Sequence, residues 1–315
     1  MKKKGLLSKL WLKHTNKRGY KEYKWQLVNY KDVAFKRFIT GNKRLSNFPQ
    51  IKEHAVANGK LNLNHSGNAG DIIYALPTIR EIHERTGVPI NLYFTLNRPM
   101  IFADGVTQSH ALGGVMLNQK MINMLVPLIK SQPYINECGA STDKLIDIDL
   151  DYFRSGFVPQ DKGNIAHWCG YITGVNPVLW KKWLTVESDP AYKDTIILAR
   201  SERYRNIMIN YKFLNKYDNL VFIGVESEYN DIIKTIPNIK WVQVDDFLQM
   251  ATMIAGCKVF IGNQSFPYSI AEALKVPRIL EVSFDVINVV PEGENGYDFF
   301  FQDHFETLVA KLAGQ

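Results

Sequence analysis

The chain alternates between short apolar, β-prone runs and longer runs in which apolar residues recur at helical spacing. Residues 258–282 show the pattern most clearly, with an extended run, a polar turn, a helix and a second extended run. Extended runs recur at intervals of about twenty residues in the second half of the chain, at 195–199, 220–223, 241–244, 259–261 and 278–282. This rhythm predicts a doubly wound parallel sheet with helices on both faces.

A second, less regular series of α/β units precedes it. The pattern predicts strands at 60–64, 89–94 and 144–148, and helices at 72–85, 118–130 and 164–173. Residues 174–193, with two prolines and two tryptophans, are typical of a connection between domains, and 304–313 is predicted to be a terminal amphipathic helix. We therefore predict the α/β class, with an N-terminal arm at 1–55 and two Rossmann-like domains, at 56–180 and 181–315, that face a cleft.

Composition narrows the class of protein. The 315 residues include 46% hydrophobic and 22% charged residues, which is ordinary for a globular protein. The three cysteines form no CxxC pair, so we expect no structural zinc site and a reducing, cytoplasmic location. The apolar stretch near the N-terminus is short and is interrupted by Lys9 and Lys13, so we expect no secretory signal.

Charge is distributed unevenly between the arm and the rest of the chain. Residues 1–60 contain sixteen Lys/Arg and three Asp/Glu, whereas residues 61–315 have a balance of −6. Leu6, Leu7, Leu10 and Trp11 could form one apolar face of a short basic helix. This asymmetry suggests an anionic partner for the arm: a membrane surface, which would place the protein at the inner face of the membrane, nucleic acid or an acidic protein. A solvated basic extension and a helix packed on the body are the alternatives.

The loop after the first predicted strand of the body carries candidate catalytic groups. Gly67 and Gly70 allow a tight turn and the close approach of a ligand. Asp71 would lie at the start of the next helix, where it is either a cap or a general base that takes a proton from an attacking hydroxyl. His65 is a second candidate base. The loop lacks the glycine spacing of a dinucleotide site and the Lys-Ser/Thr of a P-loop.

Three later loops offer groups that suit a nucleotide diphosphate. Arginines after the run at 195–199 could neutralise phosphates, or could simply be solvated. Carboxylates after the run at 220–223 could bind ribose hydroxyls, or favour a helix start. The polar turn of 258–282 offers donors at a helix N-terminus, and the acid that follows on the helix could hold a ribose diol. The candidate donor-binding residues are Arg200, Arg203, Arg205, Glu226, Glu228, Asn263, Gln264, Ser265 and Glu272.

The motifs in these loops resemble a known family. GDIIYALPTIREI, from Gly70, is similar to the Gly-Asp-x-x-x-x-x-Pro start of the heptosyltransferase-like family 9 glycosyltransferases. FIGNQSFPYSIAEALKVPRILEV is similar to the C-terminal signature of that family, and GVESEY fits the Gly-x-x-x-Glu segment between them. The resemblance covers about residues 60–315 and leaves out the basic arm.

The resemblance implies the GT-B fold, with the acceptor bound by the first domain and the nucleotide-sugar by the second. It implies an inverting transfer from a nucleotide-diphosphate sugar to a hydroxyl of a glycan, lipid or other acceptor, with no metal and no cofactor. Asp71 takes the place of the base, the arginine loop that of the basic phosphate loop, and Glu226 or Glu228 that of the ribose-binding acid.

The chain also departs from the family pattern. Gln264-Ser265-Phe266 stands where the family has Asp-Ser-Gly, and Ser269 stands where it has a helix histidine. Two other functions therefore stay open. One is a nucleotide-sugar epimerase of the same fold, and the other is a non-catalytic binding protein attached to membrane or nucleic acid by its arm.

Overall fold

The computed structural model describes residues 4–28, 44–99, 114–155 and 158–314. Within these residues, ten strands form two separate parallel sheets. The strands of the first sheet are β1 (Leu61–His65), β2 (Ile90–Phe94), β3 (Ile135–Ala140) and β4 (Ile148–Asp149). Those of the second are β5 (Ile196–Ala199), β6 (Leu220–Phe222), β7 (Lys240–Trp241), β8 (Val259–Gly262), β9 (Arg278–Glu281) and β10 (Gly296–Phe299).

The strand orders are those of a Rossmann-like fold. The first sheet runs β3-β2-β1-β4, and the second runs β10-β9-β8-β5-β6-β7, which is the 3-2-1-4-5-6 order of a doubly wound sheet. The order reverses between β1 and β4 in the first sheet and between β5 and β8 in the second. The loops that leave these strands at their carboxyl ends therefore open into a crevice, where ligands bind in such sheets.

Helices connect the strands and extend the chain at both ends. Asn47, Asn118 and Asp246 each cap a helix by accepting a hydrogen bond from a backbone N–H three residues on. The helices are α1 (Leu6–Thr15), α2 (Lys17–Val28), α3 (Phe48–Asn58), α4 (Ala69–Thr86), α5 (Gln119–Lys130), α6 (Trp168–Thr173), α7 (Glu226–Ile232), α8 (Phe247–Gly256), α9 (Phe266–Leu274) and α10 (Gln302–Ala313).

The two domains share a hydrophobic core. Buried residues of the first sheet, of α4 and α5, of α8 and α9 and of one face of the second sheet form a single cluster. Trp183, in the connection between the domains, donates its indole N–H to the carbonyl of Ile73 at 3.0 Å and its backbone N–H to that of Ala273 at 2.9 Å. A second cluster covers the other face of the second sheet, against α10. The domains are therefore joined by packed helices beside the crevice.

Several features of the pattern were misread, among them the predicted strand at 241–244, of which only Trp241 lies in β7. We did not predict β3 or β10, whose residues include glycines and charged groups and lack a clear alternation. The predicted strand at 144–148 begins only at Ile148, because the preceding residues are exposed and only Leu63 and Asn64 of β1 pair with β4. Residues 48–55 of the predicted arm belong to α3, which buries Ile51. Residues 1–3 and 29–43 of that arm lie outside the described residues, and the domain boundaries stay a prediction.

Candidate functional site

The first part of the site lies where the loops after β1 and β4 meet. Asp71 is in the first turn of α4, and Arg154 is in a short 3-10 helix, Leu150–Ser155, that follows β4. Arg154 Nη2 donates to Asp71 Oδ2 at 2.5 Å. About a fifth of the Asp71 side chain is exposed, whereas the Arg154 side chain is nearly buried. The switch point of the first sheet thus presents a carboxylate whose position is set by a buried arginine.

Gly67 allows these side chains to come together. A Cβ atom at Gly67 would lie 2.6 Å from Arg154 Nη2, 2.7 Å from Asp71 Oδ2 and 2.7 Å from His65 Cε1. A side chain at this position would force at least one of these groups to move, so the preference for glycine comes from the close approach of the three side chains. At Gly70, in contrast, a Cβ atom would make only ordinary contacts, 3.9 Å from Phe266 Cα and 4.0 Å from Ser269 Oγ.

A buried polar network around Asp151 contacts Arg154 and so supports the Asp71–Arg154 pair. Asp151 accepts hydrogen bonds from the Ser66 backbone at 3.1 Å, from the Ser66 hydroxyl, and from Arg98 Nη1 at 2.9 Å. Its Oδ1 lies 3.7 Å from Arg154 Nη1. Burial opposes the ionisation of Asp151, yet Arg154, the Ser66 hydroxyl and Arg98 together lower the pKa of this carboxyl. A charged Asp151 therefore holds both arginines in place.

His65 belongs to this network and is fully buried. Its Nδ1 accepts a hydrogen bond from the Gly67 N–H at 3.0 Å, which places the proton of the neutral ring on Nε2. Burial lowers the pKa of His65, although Asp151 opposes the shift. A role for His65 as base stays a prediction. Of the two candidate bases, His65 is buried and Asp71 is partly exposed.

The second part of the site lies at the switch point of the second sheet, after β5 and β8. Asn263, directly after β8, is fully buried and joins the two loops. Its Oδ1 accepts from the Ser201 N–H at 3.1 Å, and its Nδ2 donates to the carbonyls of Ser201 at 3.0 Å and Arg203 at 2.7 Å. Asn263 therefore fixes the shape of the arginine loop, while its role as a donor ligand stays a prediction.

The three arginines of this loop have different surroundings. Arg200 forms two hydrogen bonds, of 2.7 and 2.8 Å, with the fully buried Glu281, which also accepts from Tyr211 at 2.7 Å. Arg205 pairs with Asp231 at 2.5 Å. Arg203 lies over the Tyr204 ring and forms no ion pair with a residue that the structure describes. Arg203 is thus the arginine best placed to meet an added anion.

Helix α9 starts beside this loop. Ser265 is its N-cap residue, and the Ser265 hydroxyl donates to the Asn263 carbonyl at 3.3 Å instead of capping the helix. Gln264 donates to Asn288 Oδ1 at 2.8 Å, and its Oε1 is buried without a hydrogen-bond partner among the described residues. The Phe266 ring packs on Phe247, with centroids 4.2 Å apart. Phe266, which stands where the resembled family has glycine, is therefore accommodated by the interdomain core.

The three candidate glutamates lie in different settings. Glu226 is exposed at the start of α7. Glu228 accepts from the Glu202 N–H at 3.3 Å, and burial raises its pKa. Glu272 is buried, pairs with Lys275 and Arg278, and accepts from the Glu292 N–H at 3.0 Å. Both Glu272 oxygens are engaged within the protein, so we leave this residue out of the proposed site.

The structure brings Asp71, in the first turn of α4, close to the start of α9, because these two helices pack together and a Cβ atom at Gly70 would lie 3.9 Å from Phe266 Cα. The sequence reasoning missed Asp151, Arg154, Arg98 and Glu281. Three charged residues, Asp149, Asp151 and Arg154, follow a short apolar run, and this was a signal that could have indicated Asp151 and Arg154. Arg98 and Glu281 had no comparable signal.

The described residues contain no cluster of three or more His, Cys, Asp or Glu side chains placed to hold a metal ion. In the same part of the chain, no helix combines the length and the apolar character needed to cross a bilayer.

Comparison with solved structures confirms the fold. Escherichia coli ADP-heptose lipopolysaccharide heptosyltransferase II superposes with a TM-score of 0.55 and 12% identity, covering 81% of this chain and 99% of that one. E. coli heptosyltransferase WaaC with ADP-2-deoxy-2-fluoro heptose superposes with a TM-score of 0.53 and 8% identity, covering 80% of this chain and 99% of that one. A family 9 glycosyl transferase from Veillonella parvula superposes with a TM-score of 0.51 and 10% identity, covering 81% of this chain and 89% of that one.

The chain thus has the GT-B fold of these glycosyltransferases, as the motifs predicted. No family model matches the sequence, and no curated protein matches it significantly.

Proposed function

We propose that the protein is a glycosyltransferase that moves a sugar from a nucleotide-diphosphate sugar to an acceptor hydroxyl. The observation that carries this proposal is the placement of Asp71, held by Arg154, in the first turn of α4 beside the start of α9. A carboxylate at one switch point and a helix N-terminus at the other supply the two groups that sugar transfer needs. These are a base for the acceptor and a site for the departing diphosphate.

The donor diphosphate would bind the second domain. The first N–H groups of α9 lack partners within the helix and suit phosphate oxygens, and Arg203 supplies a positive charge nearby. Glu226 or Glu228 would bind the ribose. With Gln264 in place of an aspartate, the turn adds a neutral amide to the donor pocket. We infer that phosphate charge is neutralised by these protein groups, without a bound metal and without a cofactor.

The transfer would be a single displacement. The acceptor oxygen attacks the anomeric carbon while the Asp71 carboxylate takes its proton. The bond from that carbon to the phosphate oxygen breaks, and the nucleoside diphosphate leaves with the bonding electrons. The attacking and leaving oxygens lie on opposite faces of the sugar, so the anomeric configuration inverts. The site stabilises the charge that develops on the leaving group.

Incubation with a panel of nucleotide-sugars, with nucleoside diphosphate release as the readout, tests the proposal. ADP-heptose belongs in the panel because one solved neighbour holds an analogue of it. We expect release that depends on an acceptor hydroxyl. Asp71→Asn should abolish release and keep donor binding, whereas Asp194→Asn, at an exposed site, should match the wild type. Full activity of Asp71→Asn would eliminate the assigned base.

The same assay separates the two alternatives. An epimerase would convert the donor without an acceptor and without net transfer. A non-catalytic protein would bind a nucleotide-sugar, or an unrelated ligand, and release no diphosphate. The absence of nucleotide binding by calorimetry would count against both enzymes.

The location and the second partner are also proposals. Three free cysteines, two of them buried, support a reducing, cytoplasmic compartment. A glycan or lipid acceptor at the inner face of the membrane would fit the basic arm, whereas nucleic acid is the weaker alternative for that arm.

A further inference from the structure

The N-terminal helix α1 turns its apolar side to solvent. Leu6, Leu7, Leu10 and Trp11 form this side, the α1 apolar face, and Leu7 and Trp11 are 82% and 68% exposed. They recur at spacings of one, three and four residues, so they share one side of the helix. A helix that packs on a water-soluble protein places such a stripe inward. Here the stripe is outward, so its orientation is not explained by packing against the residues that the structure describes.

Another side of α1 faces its neighbour. Helices α1 and α2 pack together, and Lys9 and Leu12 of α1 are partly buried, in contrast to the α1 apolar face. Tyr23 of α2 is buried, and its hydroxyl accepts a hydrogen bond from the Lys4 N–H at 2.8 Å. Helices α1 and α2 thus form a hairpin that is held by contacts between them, and the α1 apolar face takes no part in these contacts.

The charge around this face is positive. Residues 4–28 contain seven Lys/Arg and a single acid, Glu22. Lys9 and Lys13 alternate with the apolar residues along α1, and Lys17 and Arg18 follow at the start of α2. Long basic side chains can lie along an apolar surface while their charges reach outward to anionic groups.

We propose that the α1 apolar face docks on an anionic lipid surface. Transfer of leucine side chains from water into the hydrocarbon of a bilayer is favourable, and tryptophan favours the boundary between the headgroups and the hydrocarbon. Lysine side chains are attracted to anionic headgroups. A nucleic acid would satisfy the lysines but offer the three leucines no apolar partner. A second copy would bring a second positive hairpin against the first, and the two would repel each other. Lipid therefore satisfies both the apolar and the charged groups.

The docking site is separate from the proposed chemistry. It requires no donor and no acceptor, so its test is independent of the transferase assay. If both proposals hold, the arm would bring the crevice to acceptors at the membrane.

Co-sedimentation of the full-length protein with vesicles tests the proposal. We expect binding to equimolar phosphatidylglycerol and phosphatidylcholine, and little binding to phosphatidylcholine alone. Leu7→Glu and Trp11→Ala should each lower the partition coefficient about tenfold, since each removes apolar contact with the bilayer. Added salt should weaken the binding of the wild type.

The chain offers matched controls. Leu145 is 82% exposed, as Leu7 is, and Trp180 is 64% exposed, close to Trp11. Leu145→Glu and Trp180→Ala should bind vesicles like the wild type, and all four variants should show unchanged circular dichroism. The proposal is overturned if the wild type does not sediment with anionic vesicles, or if Leu7→Glu binds as well as Leu145→Glu. It is equally overturned if Leu7→Glu changes the oligomeric state, or if duplex DNA competes the protein off the vesicles.

Discussion

Arg154 Nη2 lies 2.5 Å from Asp71 Oδ2, and this contact joins the two loops that leave the first sheet at its switch point. Arg154 also stacks over Phe153, with its guanidinium carbon 4.4 Å from the ring centre. The arginine is thus oriented from two directions. Since Oδ2 is engaged, Oδ1 is the oxygen through which the proposed base would accept a proton.

Replacement of Arg154 should show whether this residue orients Asp71 or binds the donor. We expect Arg154→Ala to lower kcat about tenfold to a hundredfold, because Asp71 loses its fixed orientation. The KM for the donor should change little, because Arg154 lies in the first domain. Arg154→Lys should recover part of the loss by keeping one donor near Asp71. Steady-state kinetics with donor varied at saturating acceptor measure both constants.

Arg85→Ala is the control, since Arg85 is exposed near the end of α4. Equal changes in kcat for Arg154→Ala and Arg85→Ala would contradict the positioning role. A donor KM that rises with no change in kcat would also contradict it, and would indicate that Arg154 binds the donor instead.

The arginines of the donor loop should divide into structural and functional groups. Arg200→Met should lower the free energy of unfolding by about 3–5 kcal/mol, because it leaves the Glu281 carboxylate buried without its ion pair. Arg203→Ala should leave stability within about 0.5 kcal/mol, because Arg203 forms no ion pair with a described residue. It should weaken donor binding about tenfold or more through loss of a phosphate contact.

Chemical denaturation and calorimetry with the donor measure these two effects. Arg205→Ala is a useful comparison, because its partner Asp231 is about half exposed and the pair should contribute little stability. If Arg203→Ala binds the donor as tightly as the wild type, the proposed phosphate contact is wrong.

The sequence predicted the second sheet better than the first for a physical reason. Strands such as β5 and β8 are buried on both faces and appear as unbroken apolar runs, for example Ile196–Ala199. Strand β3 has exposed, polar residues after Ile135, so no periodicity distinguishes it from a loop. The GT-B fold itself was predictable from two motifs, whereas two edge strands were not.

The positions of the candidate residues in the fold were predictable, but the side chains that they contact were not. Asp71 and Arg203 were chosen as candidates because they follow strands in loops of unusual composition. Which side chains they meet depends on contacts between distant parts of the chain, such as Arg154 with Asp71 and Glu281 with Arg200. Local patterns carry no information about such pairs. For that reason Arg200, Arg203 and Arg205 looked equivalent in the sequence.

Two glycines of the first loop should respond differently to the same change. Gly67→Ala should lower the free energy of unfolding by about 1–3 kcal/mol, because the added methyl group would lie within 2.7 Å of Asp71, Arg154 and His65. Gly70→Ala should be neutral or stabilising by up to about 1 kcal/mol, because its contacts are ordinary and alanine favours the helix. Thermal or urea unfolding measures both. Equal destabilisation by the two substitutions would show that backbone conformation, and not crowding at Gly67, sets the need for glycine.

The buried His65 should make stability depend on pH. Burial lowers the pKa of His65 in the folded protein, despite the facing charges of Asp151 and Asp71, while Arg154 and Arg98 add to the lowering. As the pH falls through about 6.5, the unfolded chain takes up a proton at this residue that the folded protein does not. The unfolded state then binds more protons, so the free energy of unfolding falls by up to about 1.4 kcal/mol per pH unit from this group.

His65→Asn should remove that contribution while keeping an acceptor for the Gly67 N–H. Urea unfolding between about pH 7.5 and pH 5 should then show the wild type losing stability faster than the variant as the pH falls, because only the wild type has an imidazole to protonate on unfolding. His304→Asn, at an exposed position on α10, should follow the wild type. Parallel curves for the wild type and His65→Asn would mean that His65 binds a proton equally in both states. The buried neutral ring, and with it the placement of its proton on Nε2, would then have to be abandoned.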